Sequence, residues 1–276
     1  MVPMQRFALN RIACPSLGLE EFFSLAGRLG IAKVELRNDL PGGKVTDGMS
    51  PSQAAALAEK CGVRVITINA LQKFDLAAGR PARIRELEAL LDLAVEIRCP
   101  ALILCPTNDK KDARDPAARM RETVEALKAY GPAFASRGML GYVEPLGFGE
   151  CAVQSLLKAV EAIGQSGFAC YRTVHDTFHH YLGPDTEKDL QKVAPLMGLI
   201  HASGVEADIP KAAFLDEHRL LCGPKDRMAS RDQVRRLLSL GYAGDIALEP
   251  FSSQVQKMAP DALAKAIGDS IAYLRA

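Results

Sequence analysis

Apolar residues fall into two alternating kinds of stretch along this chain. Short runs, nearly continuous in apolar character, occur at Phe7–Asn10, Val34–Leu36, Val63–Asn69, Ala101–Cys105, Leu140–Glu144, Tyr171–Asp176, Gly198–Ala202 and Asp245–Glu249. They lack the strict alternation of a half-exposed sheet and suit parallel strands covered on both faces. Between them, apolar residues recur at helical spacing, at about Leu19–Leu29, Pro51–Cys61, Pro81–Ile97, Pro116–Arg137, Ala152–Ile163, Thr186–Val193, Arg231–Leu240 and Pro260–Leu274.

The ends of these stretches carry their own signals. Ser50-Pro51-Ser52-Gln53 combines a capping box with proline at the first helical position, and Ser230-Arg231-Asp232-Gln233 repeats the box. Gly30, Gly62, Gly138 and Gly241 each follow a helical pattern and precede a strand, where a left-handed terminus favours a residue without Cβ. Strand then helix, eight times over, predicts an α/β fold of the (β/α)8 TIM-barrel type. An open doubly wound sheet would want a glycine-rich phosphate turn after its first strand. Here that strand runs into Asn10-Arg11-Ile12-Ala13-Cys14-Pro15, so the barrel is the better reading. With neither linker nor low-complexity segment, residues 1–276 read as one domain.

Composition narrows the function classes. Length 276, with 48% hydrophobic and 24% charged residues, suits a globular protein with a large core. Formal charge is +1, from 34 basic and 33 acidic side chains, which gives no electrostatic preference for nucleic acid or anionic membranes. Seven cysteines, with no C-x-x-C, favour a reduced setting over a disulfide framework. No signal pattern opens the chain and no apolar run reaches about 18 residues, so a cytoplasmic location is expected. The long charged connection between His201 and Ser230 is a candidate lid over the active mouth.

Four polar residues close four successive predicted strands: Glu144 in V-E-P-L-G, Asp176 in V-H-D-T-F-H, His201 in L-I-H-A-S and Glu249 in A-L-E-P-F. In a closed parallel barrel these ends share one mouth, so four ligands distant in sequence can converge. Three oxygens and one nitrogen suit Mn2+, Mg2+, Co2+ or Zn2+ with room for substrate oxygens. The plainer alternative is a set of separate salt-bridge partners around the rim. A divalent cation stabilises an enediolate, which makes the hydrogen beside a ketone removable by a carboxylate. Glu35 and Asn69, the polar tips of strands two and three, are candidates for hydroxyl recognition. His179, three residues past Asp176, is a candidate substrate contact. His175, one residue before Asp176, should face the helices instead. Phe7, Phe74 and Phe251 are candidates for an apolar wall, with core packing as the alternative, and Lys110-Lys111 reads as solvated charge.

Over nearly its whole length the sequence resembles the xylose isomerase-like TIM-barrel superfamily, in particular its inosose isomerases and small sugar epimerases. The resemblance rests on the Glu144, Asp176, His201, Glu249 set, on V-E-L-R-N-D at Val34–Asp39 and on Asp176-Thr177-Phe178-His179. It implies a metal held by those four residues, Glu144 and Glu249 as acid/base catalysts, and His179 against the substrate. The family's arginine on the loop after strand seven has its nearest equivalent in Arg219. Ser203-Gly204-Val205-Glu206-Ala207 and Cys222-Gly223-Pro224-Lys225-Asp226 depart from the epimerase pattern there, which favours an inosose isomerase.

The expected substrate is a small polyhydroxylated ketone, a keto-inositol or related ketose, turned over by an intramolecular oxidoreductase. An inosose dehydratase and a ketose 3-epimerase are the alternatives on the same site. A metal-dependent endonuclease would need more histidine ligands and a basic groove than this sequence offers. No nucleic-acid or membrane partner is expected, and a homodimer is the assembly considered.

Overall fold

The computed structural model describes all 276 residues. Strands β1 (Phe7–Asn10), β2 (Lys33–Arg37), β3 (Arg64–Gln72), β4 (Ala101–Cys105), β5 (Leu140–Val143), β6 (Tyr171–Asp176), β7 (Met197–Ala202) and β8 (Asp245–Leu248) follow one another around a closed parallel barrel, with β8 pairing back onto β1. Helices α1 (Leu19–Arg28), α2 (Pro51–Lys60), α3 (Arg80–Glu96), α4 (Pro116–Ser136) and α5 (Leu156–Ser166) fill the first five connections. Helices α6 (Thr177–Leu182) and α7 (Glu187–Val193) follow β6, α8 (Ser230–Ser239) follows β7, and α9 (Ser253–Gln256) and α10 (Pro260–Arg275) close the chain. This is the (β/α)8 barrel that the apolar pattern predicts.

Two apolar layers hold it together. A cluster of 58 buried residues fills the space between sheet and helices, including Phe7 and Phe74, which are therefore core rather than cavity wall. Inside the barrel a smaller plug of Ala8, Ile66, Ala70, Ile103, Val174, Leu199 and Ala247 seals the axis. Side chains on a strand alternate between faces, so the residue two positions beyond a plug residue also points inward. That rule selects Asn10 after Ala8, Cys105 after Ile103, Asp176 after Val174, His201 after Leu199 and Glu249 after Ala247. The floor of the functional mouth is thus set by the interior packing layer.

Several element ends have identifiable causes. The Ser50 box forms: the Ser50 hydroxyl accepts from the Gln53 N–H at 3.3 Å, and Gln53 accepts from the Ser50 N–H at 3.0 Å. Gly30, Gly62, Gly138 and Gly241 all take positive φ. The expected second box does not form. Asp226 accepts from the Ser230 N–H at 2.7 Å, while the Ser230 hydroxyl donates to the Ser203 carbonyl and Gln233 bonds His175. Helix α5 begins at Leu156 rather than near Ala152, because the Ser155 hydroxyl caps it by accepting from the Lys158 N–H. No helix is long and apolar enough to cross a membrane.

Candidate metal centre

Adjacent strand ends place the four polar residues together. Asp176 and His201 are register partners across β6 and β7, while Glu144 and Glu249 each stand one residue past the end of their strand. Glu144, Asp176, His201 and Glu249 each offer a ligand atom, all within 4.8 Å of one another, and all four side chains are buried. His201 Nδ1 lies 2.5 Å from Glu144 Oε1 and 3.2 Å from Glu249 Oε2, whereas its Nε2 faces Glu35 Oε1 at 3.1 Å. Asp176 divides its carboxylate: Oδ1 accepts the Phe178 and His179 N–H groups and so starts α6, leaving Oδ2 for the site.

A ring of neighbours orients these groups. Glu249 accepts from Asn10 Nδ2 at 3.1 Å, Arg37 Nη1 at 2.9 Å and Arg219 Nη2 at 2.8 Å. Arg219 Nη2 also donates to Asp176 Oδ2. Two guanidiniums stand over the Phe251 ring, Arg37 at 5.2 Å and Arg219 at 4.4 Å from its centroid. Glu35 is fully buried and accepts from Asn10, Thr67 and Asn69 as well as facing the imidazole. It does not line the cavity above the cluster, so the expected hydroxyl contact is revised: this carboxylate supports His201 from below.

That cavity measures about 180 Å³, and its lining includes Asn69, His179 and Arg219 together with Glu144, Glu249 and Phe251. His179 stands against Phe148, ring centroids 5.3 Å apart. Arg219 arrives by the connection after β7, where Gly204 and Leu220 exchange backbone hydrogen bonds at 2.8 and 2.7 Å and turn the intervening segment back over the mouth. His175 faces outward, bonded to Gln233 at 2.9 Å, as strand parity requires.

The charges show what this arrangement can hold. Burial resists charging His201, but Glu249, Glu35 and Glu144 outweigh it and lift its pKa well above the ordinary imidazole value. Burial would likewise raise Glu249, yet His201, Arg219 and Arg37 hold it well below the usual carboxylate range. Burial pushes up the Cys105 thiol, and Glu144 adds to the effect; the neutral S–H donates to Glu144 Oε2 at 3.6 Å. Among the buried groups of the cluster, four carboxylates (Glu35, Glu144, Asp176, Glu249) meet two guanidiniums (Arg37, Arg219) and the His201 imidazolium, an excess of one negative charge that becomes two when His201 is neutral and free to ligate. Like charges this close need a counterion or a proton. A divalent cation on the mixed oxygen and nitrogen donors meets the deficit, so the residues fit the group.

A family model described as a xylose isomerase-like TIM barrel matches residues 23–276. The chain belongs to that family. A xylose isomerase domain containing protein from Salmonella typhimurium LT2 is 38% identical, with a TM-score of 0.92 over 100% of this chain and 99% of that one. The IolI protein, solved with a bound zinc atom, is 17% identical with a TM-score of 0.89 over 98% of this chain and 97% of that one. A D-psicose 3-epimerase from Clostridium cellulolyticum H10, solved with D-tagatose, is 13% identical with a TM-score of 0.77 over 98% of each chain. The last two likenesses are of fold. No curated protein sequence matches the chain.

Within this xylose isomerase-like barrel, Asn10, Arg37, Thr67 and Cys105 are the site residues that sequence reasoning missed. Asn10 and Cys105 end apolar runs and Arg37 follows one, as the four clustered residues do, whereas Thr67 lies within β3. The parity rule applied to β1 and β4 selects Asn10 and Cys105; Arg37 stands two residues beyond Glu35 on β2.

Proposed function

We propose that this protein is a divalent-metal-dependent isomerase of a polyhydroxylated ketone, a keto-inositol (inosose) or related ketose. The supporting observation is the convergence of Glu144, Asp176, His201 and Glu249 within 4.8 Å beneath a polar cavity at the barrel mouth. These four residues would hold the cation. When bound, it would polarise a substrate carbonyl and so acidify the hydrogen on the adjacent carbon.

The protein's own groups divide the remaining work. Glu144 on the β5 end and Glu249 on the β8 end are the acid/base pair: one takes the proton from carbon and the other returns a proton to the neighbouring carbon, while the hydroxyl proton of the first carbon passes to the former carbonyl oxygen. Glu35 accepts from His201 Nε2–H and thereby presents Nδ1 to the cluster. Asn69, His179 and Arg219 contact substrate hydroxyls along the cavity wall, while Phe251 and Phe148 keep water from the carbon skeleton. The protein acts on a small molecule in the cytoplasm, without nucleic acid or membrane, as one domain over residues 1–276.

Incubation with Mn2+ and a panel of inososes and ketoses in D2O tests this reading. Deuterium uptake with a shifted carbonyl and no loss of water is the expected result. Loss of water would indicate a dehydratase, and inversion at C3 alone an epimerase. Glu144→Gln and Glu249→Gln should each abolish turnover; full activity in either variant removes that carboxylate from the acid/base pair.

A further inference from the structure

A second cavity, of about 450 Å³, opens beside the metal centre and shares Phe148 with it. Its walls come from loops at the same mouth: Phe148 after β5, Leu182 on α6, and Phe214 and Leu215 after β7. The shared wall is tightly built. A Cβ on Gly147 would meet the His179 carbonyl oxygen at 2.1 Å, so only glycine lets this loop lie on α6 and press Phe148 against His179 and Phe178. Phe214 is buried and stacks on Tyr181 with centroids 5.9 Å apart. Leu215, by contrast, is 59% exposed, more than any other large apolar side chain except Met1.

Two cations overlook this apolar space, Lys110 and Lys211. Nearby carboxylates are engaged elsewhere: Asp109 pairs with Lys73 at 3.6 Å and Asp208 with Arg227 at 2.8 Å. The Lys211 ammonium instead sits 5.0 Å from the Tyr181 ring centroid. Glu150 is the one acid in the lining, so the compartment keeps a positive excess.

We propose that this outer cavity is a second substrate compartment, taking an apolar arm that ends in a carboxylate, attached to the hydroxyketone whose head enters the metal centre. This rests on the metal-centre reading above. Aromatic and aliphatic walls reward a hydrocarbon arm, and the lysines reward its anionic end. The ester phosphate of a sugar would bring hydroxyls that find no partners among Phe148, Leu182, Phe214 and Leu215.

The test titrates the intact protein, without added metal, with benzoate, benzyl alcohol and inorganic phosphate, followed by NMR. Benzoate should bind at least about fivefold more tightly than either other probe, and K110M/K211M should weaken it by about five- to tenfold, as expected for two solvent-screened charges. Absence of saturable benzoate binding, equal binding of benzyl alcohol or phosphate, or an unchanged benzoate affinity in K110M/K211M would each overturn the proposal. A parallel Mn2+ titration of the wild-type protein reports on the metal centre independently. Failure there with benzoate binding intact removes the metal reading and the hydroxyketone head with it, and leaves the outer compartment as a site for an apolar carboxylate.

Discussion

His175 and His201 are both fully buried imidazoles near the ends of neighbouring strands, β6 and β7, yet their surroundings drive them in opposite directions. His201 points into the mouth, where Glu249, Glu35 and Glu144 overcome the cost of burial and favour the imidazolium. His175 points outward, where burial and then His180 lower its pKa well below the ordinary value and Gln233 only partly offsets them. Desolvation acts on both alike, so the difference lies in which partners each ring meets. Strand parity decides that. Asp176, one residue after His175, is the register partner of His201. A one-residue slip would exchange the two environments and empty the site.

The harshest way to break this contrast is to remove an inner-face cation. Arg219 is 2% exposed and bonds both Asp176 and Glu249. Arg219→Met leaves buried Asp176 without its guanidinium and Glu249 with Arg37 alone, and should destabilise the chelated protein by about 3–5 kcal/mol in urea titrations. Mn2+ should restore part of that loss by supplying positive charge at the same carboxylates. On the outer face, Gln233→Met orphans His175 and should cost about 1–3 kcal/mol, with no recovery on adding Mn2+. Recovery in both variants, or in neither, would show that the two faces are not distinct in the way described.

The two faces also differ in how legible they are in the sequence. Each of the four clustered residues ends a run of apolar residues, so a polar side chain there stands out against its own strand. Fold and clustered residues are therefore readable together. Residues that clamp the cluster are harder to see. Arg37 follows Leu36 as a basic tip and looks like a solvated charge, and Thr67 hides inside β3, where a threonine is an ordinary strand residue. Their role depends on a register shift between Val34 and Glu35 that aligns Glu35 with Thr67, and no local pattern announces such a shift. Glu35 stands out as a polar tip, but its depth below the cavity follows from the closed barrel. The capping box expected at Ser230 fails for a related reason: Asp226, outside the box, reaches the helix N-terminus first.

A gentler change sharpens the inner half of the comparison. Glu35→Gln keeps the shape beneath His201 but removes the charge that Nε2 faces. Partners that orient a metal-bound histidine typically contribute about 10–100-fold in metal affinity, so Mn2+ or Zn2+ binding measured by calorimetry should weaken within that range. The melting temperature of the metal-free protein should move little in comparison. An unchanged metal affinity would mean that Glu35 serves packing and hydrogen bonding alone.

The smallest effect concerns the outer face and follows from linkage. Burial, with Lys211 adding to it, lowers the His180 pKa from 6.5 to about 4, and its ring lies 4.7 Å from that of His175. A depressed imidazole pKa means that the unfolded chain takes up protons first. Stability is therefore lost as pH falls below the unfolded value, and the loss levels off once the folded pKa is passed. His201 has the opposite sign: its contribution is fully present below the unfolded pKa and is lost as pH rises through the higher folded one. Saturating Mn2+ removes His201 from this balance, since its lone pair is then taken. Under that condition His180→Gln should lose less stability than wild type between pH 7 and pH 5.5, by about 1 kcal/mol in paired urea titrations. Any pH dependence of metal uptake is common to both proteins and cancels in the difference. Identical pH profiles would place the His180 ring in water rather than against His175, and the outer face would then offer His201 no neutral counterpart.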